Sequence, residues 1–205
     1  LVGAAVYGSK VWRTTPSRPV DPAVGTALVE RLLRAVPGCE LVLLVRDGQR
    51  TSAARRTDRE IFKNDAFDRL RAQCKERDVD FTTVTSRVTT IAGDVTRDGL
   101  GLNDTDRATF ASCDTVIHSA AAVSFDSPLD SAVEINLLGP SRIADLCNAI
   151  GITPHLVAVS TCYVAGNRRG NAPEKLVSDG PFDIGIDWRN EVAASRRLRS
   201  DADAA

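Results

Sequence analysis

Glu40-Leu-Val-Leu-Leu-Val-Arg46 is the stretch that decides the fold: five consecutive apolar residues between a carboxylate and a guanidinium. A run of that length with no polar residue suits a strand buried on both faces, the situation of a parallel sheet with helices above and below it. Asp47-Gly48 closes the strand with turn chemistry. On its N-terminal side, Val24, Ala27, Leu28, Leu32 and Ala35 recur at helical spacing within residues 22–36, and Pro37-Gly38 ends the pattern.

The same alternation continues downstream. Residues 51–78 are highly charged with a sparse apolar stripe (Ile61, Phe62, Phe67, Leu70, Cys74), which predicts one or two helices packed along one side. Residues 88–94, mostly β-branched, are expected to form the next strand, and Asn103 or Asp104 is placed to cap a short helix reaching Ser112. Strands are predicted over 115–121 and 155–161, separated by a helical stretch over 129–150 with Gly139-Pro140 as its bend. A turn-rich segment, 166–183, precedes an exposed helix over 188–199. The expected fold is α/β: a Rossmann-like doubly wound parallel sheet with helices on both faces, incomplete at both ends.

Composition excludes several roles. A formal charge of −1 gives no reason to expect nucleic acid or an anionic membrane surface as the main partner. No apolar run reaches the length of a membrane span, and residues 1–10 do not have the form of a signal peptide. The five cysteines (Cys39, Cys74, Cys113, Cys147, Cys162) are dispersed, and with two histidines and no CxxC they form no zinc pattern; no metal site is expected. Unpaired thiols point to a reducing, cytoplasmic setting.

In an open α/β sheet, ligands bind past the carboxyl ends of the strands, and polar residues follow each predicted strand here. Arg46 stands where a dinucleotide fold reads the ribose 2′ position, and an arginine there suits a 2′-phosphate; an ordinary surface arginine is the alternative. Gly93-Asp94-Val95 offers a carboxylate to an adenine amino group and an apolar cover for its ring, or else a strand-ending turn. In His118-Ser119-Ala120-Ala121-Ala122 small residues admit a flat ligand close to the backbone, though tight helix–sheet packing would use the same residues, and His118 itself reads as a core imidazole. Ser160 and Thr161, with Tyr163 beyond, could hydrogen-bond a carbonyl undergoing reduction or simply satisfy the backbone at a strand end.

From Val24 to Ala205 the chain resembles the NAD(P)-binding domain of fatty acyl-CoA reductases and thioester reductases, in the extended short-chain dehydrogenase superfamily. The resemblance is carried by the segment opening at Gly25, by Leu43-Leu-Val-Arg46, Gly93-Asp-Val95, His118-Ser-Ala-Ala-Ala-Val-Ser-Phe125, Glu134-Ile-Asn-Leu-Leu-Gly139, Val159-Ser-Thr-Cys-Tyr-Val-Ala-Gly166 and Asp187-Trp-Arg-Asn-Glu. It implies NADP(H) as cofactor, an acyl-CoA or acyl-carrier thioester as partner, and reduction to an aldehyde or alcohol. By the same resemblance Gly25 stands for the last glycine of the phosphate turn, and Arg46 binds the 2′-phosphate. Asp94 and Val95 hold the adenine; Ser119, Ala120 and Ala121 line the cofactor's middle, with Ser160 beside them. Thr161 matches the catalytic Ser/Thr and Asn136 the structural asparagine.

Two departures are plain. The family's glycine-rich turn has no counterpart in Arg13-Thr-Thr-Pro-Ser-Arg-Pro-Val-Asp-Pro22, where Pro19 and Pro22 also lack N–H donors. Residues 1–22 are therefore expected to be an atypical segment, with disorder one expectation and a frameshift or boundary upstream of Ala23 its expected origin; 23–205 is the expected NAD(P)-binding domain. The family's YxxxK pair is also missing, since neither Tyr7 nor Tyr163 has a lysine four positions on. With no methionine in the chain, the sequence is expected to be a fragment truncated before the catalytic Tyr/Lys and the substrate portion, inactive alone. Another extended short-chain dehydrogenase, such as a nucleotide-sugar epimerase or dehydratase, and a non-catalytic nucleotide-binding remnant are the competing expectations.

Overall fold

The computed structural model describes residues 4–7 (backbone course only), 24–122, 128–160, 169–180 and 183–204. Five strands form one sheet in the order β3-β2-β1-β4-β5, with every neighbouring pair parallel. They are β1 (Ala4–Tyr7), β2 (Leu41–Val45), β3 (Val88–Ala92), β4 (Thr115–His118) and β5 (His155–Ala158). The chain winds outward from β1 through β2 to β3, then returns to the other side of β1 for β4 and β5. Strand order therefore reverses beside β1, the place where doubly wound sheets open a ligand crevice.

β2 shows why the sequence folds this way. All five of its residues are buried, and because side chains alternate across a strand, they divide between two cores. Leu41, Leu43 and Val45 pack with Val29 and Leu33 of α1 (Val24–Ala35), Ala53 of α2 (Ala53–Arg56), and Leu70 and Cys74 of α3 (Asp68–Glu76). Val42 and Leu44 face the other way, into a core with Val116, Phe110 of α5 (Asp104–Ala111) and Ile143 and Leu146 of α7 (Leu138–Ile150). Helices thus cover both faces, as the apolar run requires.

The predicted helices and strands occur close to their expected positions, with three informative differences. Residues 1–22 read as a segment outside the folded domain, yet Ala4–Tyr7 supplies the central strand, paired with both β2 and β4. Ala-Ala-Val-Tyr is too short and too weakly patterned to register as a strand on sequence alone. A short helix, α4 (Phe81–Thr85), lies between the charged segment and β3; Asp80 starts it by accepting a hydrogen bond from the Thr82 N–H at 2.8 Å, which also holds the Asp80 carboxyl below its usual pKa. The helical stretch over 129–150 breaks earlier than Gly139-Pro140. It runs as α6 (Leu129–Ala132), a wide π turn over Val133–Leu137, and then α7. Pro140 has no N–H for the carbonyl one turn before it, and widening that turn relieves the clash.

Elsewhere the chain is pinned by specific bonds. Asn103 caps α5 through the Asp106 N–H at 2.8 Å, and Arg87 donates to the carbonyls of Leu33 and Val36 at the C-terminal end of α1. α8 (Trp188–Ala204) buries only Val192 and Ser195 among its residues. Cys39, Cys74, Cys113 and Cys147 are free buried thiols; burial pushes the Cys113 thiol up to about 11. Cys162 lies outside the described residues. Among the described residues no helix is long and apolar enough to cross a membrane, and no cluster of three metal-ligating side chains is present.

Candidate functional site

Because all five strands are parallel, their carboxyl ends share one edge, and the side chains that follow them are brought together there. β2 ends at Val45, and Arg46 follows with its side chain about half exposed. β3 ends at Ala92, and Gly93-Asp94 turns the chain beside it. The Arg46 Nη1 lies 3.8 Å from Asp94 Oδ2, and both residues line a cavity of about 390 Å³. Arg46, Asp47, Gly93, Asp94, Arg97 and Asn103 contribute to its wall. The volume is sufficient for a nucleoside-sized group.

Asp94 is oriented by its own loop. Its Oδ1 accepts from the Thr96 N–H at 2.9 Å and from the Thr96 hydroxyl at 2.8 Å, while its N–H donates to the Leu100 carbonyl at 2.8 Å. With Oδ1 committed to the turn, Oδ2 is the oxygen turned toward Arg46 and the cavity. Gly93 is required by packing. A Cβ there would sit 2.8 Å from Leu44 Cδ1 and 2.9 Å from both the Leu100 carbonyl oxygen and Leu102 Cδ2. Only glycine lets the 98–102 loop close onto β2 and β3.

Val95 points elsewhere. Its side chain is buried in the core beneath α7 and lies against Gly139, where a Cβ would make ordinary van der Waals contact with Val95 at 3.5 Å and His118 Cε1 at 3.7 Å. His118, 3% exposed, is the core imidazole the sequence suggested, but its Nδ1 has no hydrogen-bond partner, and burial lowers its pKa. It is therefore held neutral at physiological pH.

Past β4 the chain runs through Ser119, the buried Ala120 and the exposed Ala121 to Ala122. There Asn136, from the π turn, accepts from the Ala122 N–H at 2.7 Å and donates to the Ala122 carbonyl at 3.0 Å. One side-chain amide thus grips one residue's backbone on both sides and fixes the course of the chain at this strand exit. Gly25 is buried in the first turn of α1. Ser160 follows β5 and is exposed. Thr161, with Tyr163, lies outside the described residues, as do Arg13 to Pro22.

Two arginines that sequence reading left aside shape the site. Arg56, 8% exposed, donates from Nη1 to the Arg46 carbonyl at 2.5 Å and pairs with Glu60 at 2.8 and 3.0 Å. Arg142 of α7 donates to the Val95 carbonyl at 3.2 Å and to the Glu134 carbonyl at 3.0 Å, and also pairs with the Glu134 carboxylate. Glu134 in turn reaches Arg196 of α8 at 2.6 Å. Burial pushes the Glu134 carboxyl up, but the two guanidiniums outweigh it and hold it below its ordinary pKa. A charged residue at helical spacing carries no signal of such a role, because its partners are backbone carbonyls distant in sequence.

A doubly wound parallel sheet with a basic and an acidic residue facing each other at the exits of β2 and β3 defines a dinucleotide-binding α/β domain. Comparison with known proteins makes this specific. The NAD-binding family described as male sterility protein matches residues 23–203, and the chain belongs to that family. It is 32% identical over 180 residues to a Drosophila melanogaster protein provisionally named a fatty acyl-CoA reductase, covering 87% of this chain and 33% of that protein. It is 32% identical over 163 residues to the alcohol-forming fatty acyl-CoA reductase of Simmondsia chinensis, covering 77% and 31%. The chain thus spans about a third of the length of these curated relatives. Among solved structures, the terminal R domain of the myxalamid PKS-NRPS biosynthetic pathway shares the fold, with a TM-score of 0.56 at 22% identity over 83% of this chain and 37% of that one.

Proposed function

We propose that the chain is the nucleotide-binding portion of an NADPH-dependent acyl-thioester reductase, acting on a fatty acyl-CoA or acyl-carrier thioester to give an aldehyde or alcohol. The observation that carries the cofactor reading is the Arg46 guanidinium at the exit of β2, half exposed and facing Asp94 Oδ2 at 3.8 Å over a nucleoside-sized cavity. The residues fit the group. A guanidinium offers a planar fork of donors to the 2′-phosphate, and the oxygen of Asp94 left over from its turn can accept from the adenine amino group. Ser119, Ala120 and Ala121, held in line by the Asn136 grip on Ala122, pass under the middle of the cofactor, and Gly25 opens the helix nearest its phosphates. When bound, the reduced nicotinamide would supply hydride to the acyl carbonyl carbon, with the C–S bond breaking and the coenzyme A or carrier thiolate leaving to give the aldehyde. Ser160 and Thr161, following β5, hold the carbonyl oxygen by hydrogen bonding as negative charge develops. The names of the two curated relatives, both fatty acyl-CoA reductases, favour a thioester over a nucleotide sugar.

Titration of the chain with NADPH and NADH tests the cofactor reading. NADPH should bind in the micromolar range and NADH more weakly. Arg46→Ala should diminish that preference by about 1.5–3 kcal/mol, as expected for hydrogen bonds to a charged group, with NADH binding little changed. Equal affinity of the unmodified chain for both cofactors would reject the assignment of Arg46 to the 2′-phosphate. For the substrate, acyl-CoA-dependent NADPH oxidation by the protein carrying this domain is the expected activity, and turnover of a nucleotide sugar in its place rejects it.

A further inference from the structure

We propose that Arg97 is a second arm of the phosphate clamp and, together with Arg46, sets the preference for a 2′-phosphorylated cofactor. The inference rests on the assignment of the cavity to the adenosine end of NADPH. Arg97 lines that cavity together with Arg46, from the loop after β3. Its backbone is fixed at the junction of two successive turns: its N–H donates to the Asp94 carbonyl at 3.0 Å, and its carbonyl accepts from the Leu100 N–H at 3.0 Å. Its side chain is laid along Gly101, which has φ +64; a Cβ on Gly101 would meet Arg97 Cδ at 3.1 Å and Cβ at 3.7 Å. A glycine at that position leaves room for the arginine stem and aligns it along the loop.

The charges around the cavity then decide what it attracts. Asp94 Oδ1 is taken by Thr96, and its Oδ2 is shared with Arg46. Asp47 Oδ1 is taken by the Ala53 N–H at 2.7 Å. Among the described residues the Arg97 guanidinium has no carboxylate partner and no hydrogen-bond acceptor. A planar cation with five N–H donors, held by its stem and left without acceptors at a cavity wall, is suited to an anion. A phosphomonoester carries a charge of about −1.5 to −2 near neutral pH and has three acceptor oxygens, more than Arg46 alone can satisfy while it also faces Asp94.

Calorimetric titration of the chain with 2′,5′-ADP and with 5′-ADP separates this inference from the reading it depends on. The unmodified chain should prefer 2′,5′-ADP. Arg97→Ala should weaken 2′,5′-ADP about tenfold, the scale of a charge-assisted hydrogen bond, and leave 5′-ADP within about twofold; Arg97→Lys should restore part of the loss, since a point charge replaces the fork. If the unmodified chain discriminates between the two but Arg97→Ala does not change 2′,5′-ADP binding, the clamp role is overturned while the NADP assignment stands. If Arg97→Ala weakens both ligands equally, Arg97 acts on the adenine or its ribose and the clamp role is again overturned. If the unmodified chain does not discriminate at all, the NADP assignment fails and this inference with it.

Discussion

Gly93→Ala is the substitution for which the structure sets the clearest magnitude. The added methyl would stand 2.8 Å from Leu44 Cδ1 and 2.9 Å from Leu102 Cδ2 and the Leu100 carbonyl oxygen. The leucine tips can rotate away, but the carbonyl is backbone, and it is the acceptor for the Asp94 N–H at 2.8 Å. Overpacking of a tight site costs about 1–3 kcal/mol, and weakening that hydrogen bond adds about 0.5–1.5 kcal/mol. Alanine recovers about 0.4–1 kcal/mol by restricting the unfolded chain. The net loss should be about 0.5–4 kcal/mol, read as a lower urea midpoint at unchanged m-value. Gly151→Ala is the matched control: φ is +72 and nothing lies within 4 Å of a Cβ there, so it should cost about 1–2 kcal/mol from backbone conformation alone. Because Gly93 adjoins Asp94, Gly93→Ala should also weaken nucleotide binding, and Gly151→Ala should not. A Gly93→Ala chain as stable as the unmodified one, with unchanged nucleotide affinity, would refute the packing argument.

Asn136→Asp keeps the acceptor for the Ala122 N–H but replaces the donor to the Ala122 carbonyl with a repelling oxygen; a loss of about 1–3 kcal/mol and weaker NADPH binding are expected in parallel melting and titration experiments. The buried, neutral His118 predicts a pH dependence. Its folded pKa lies below the ordinary 6.5, so the unfolded chain binds the proton more readily; the associated stability is complete above pH 6.5 and is lost as pH falls through the folded value. Thermal melts from pH 8 to 5 should show this slope, and His118→Leu should flatten it; a slope that persists unchanged in the leucine variant assigns the effect to other groups.

The layers of the fold were legible because burial on both faces leaves a continuous apolar run, and residues 40–46 carry one. The strand exits were legible too, since a residue's position after such a run is a matter of counting; hence Arg46 and Asp94 could be singled out and are found facing each other. Three things escaped. Ala4–Tyr7 is only four residues long, and its strand identity comes from β2 and β4 on either side. The Val95 side chain was expected over a ligand, but a valine gives no sign of which face it will take, and the turn at Asp94 sends it toward α7. Arg56, Arg97 and Arg142 look alike in sequence, all arginines in polar stretches, and only the fold distinguishes one that binds the Arg46 carbonyl, one at a cavity wall, and one that joins two loops.

Those arginines also explain how loops at a sheet edge can present side chains at fixed separations. Loop backbone beyond a strand has lost its ladder partners, and each unpaired carbonyl there is free to move unless a donor holds it. At the exit of β2, Arg56 donates to the Arg46 carbonyl. At the exit of β3, Arg142 donates to the Val95 carbonyl. At the exit of β4, Asn136 holds Ala122 at both ends of its backbone. Each tie comes from a helix or a helical turn packed on the sheet, so three consecutive strand exits are referred to the rigid layers. Arg142 goes further: it joins the β3 exit to Glu134, two residues before Asn136 in the same π turn, and so couples the exits of β3 and β4. Removing its side chain should therefore loosen both loops together, whereas removing Arg56 should loosen the β2 exit, whose Arg46 carbonyl it holds. Hydrogen exchange distinguishes the two cases: Arg142→Ala should speed exchange at both 94–97 and 119–122, and acceleration at only one of those loops would show that the coupling does not exist.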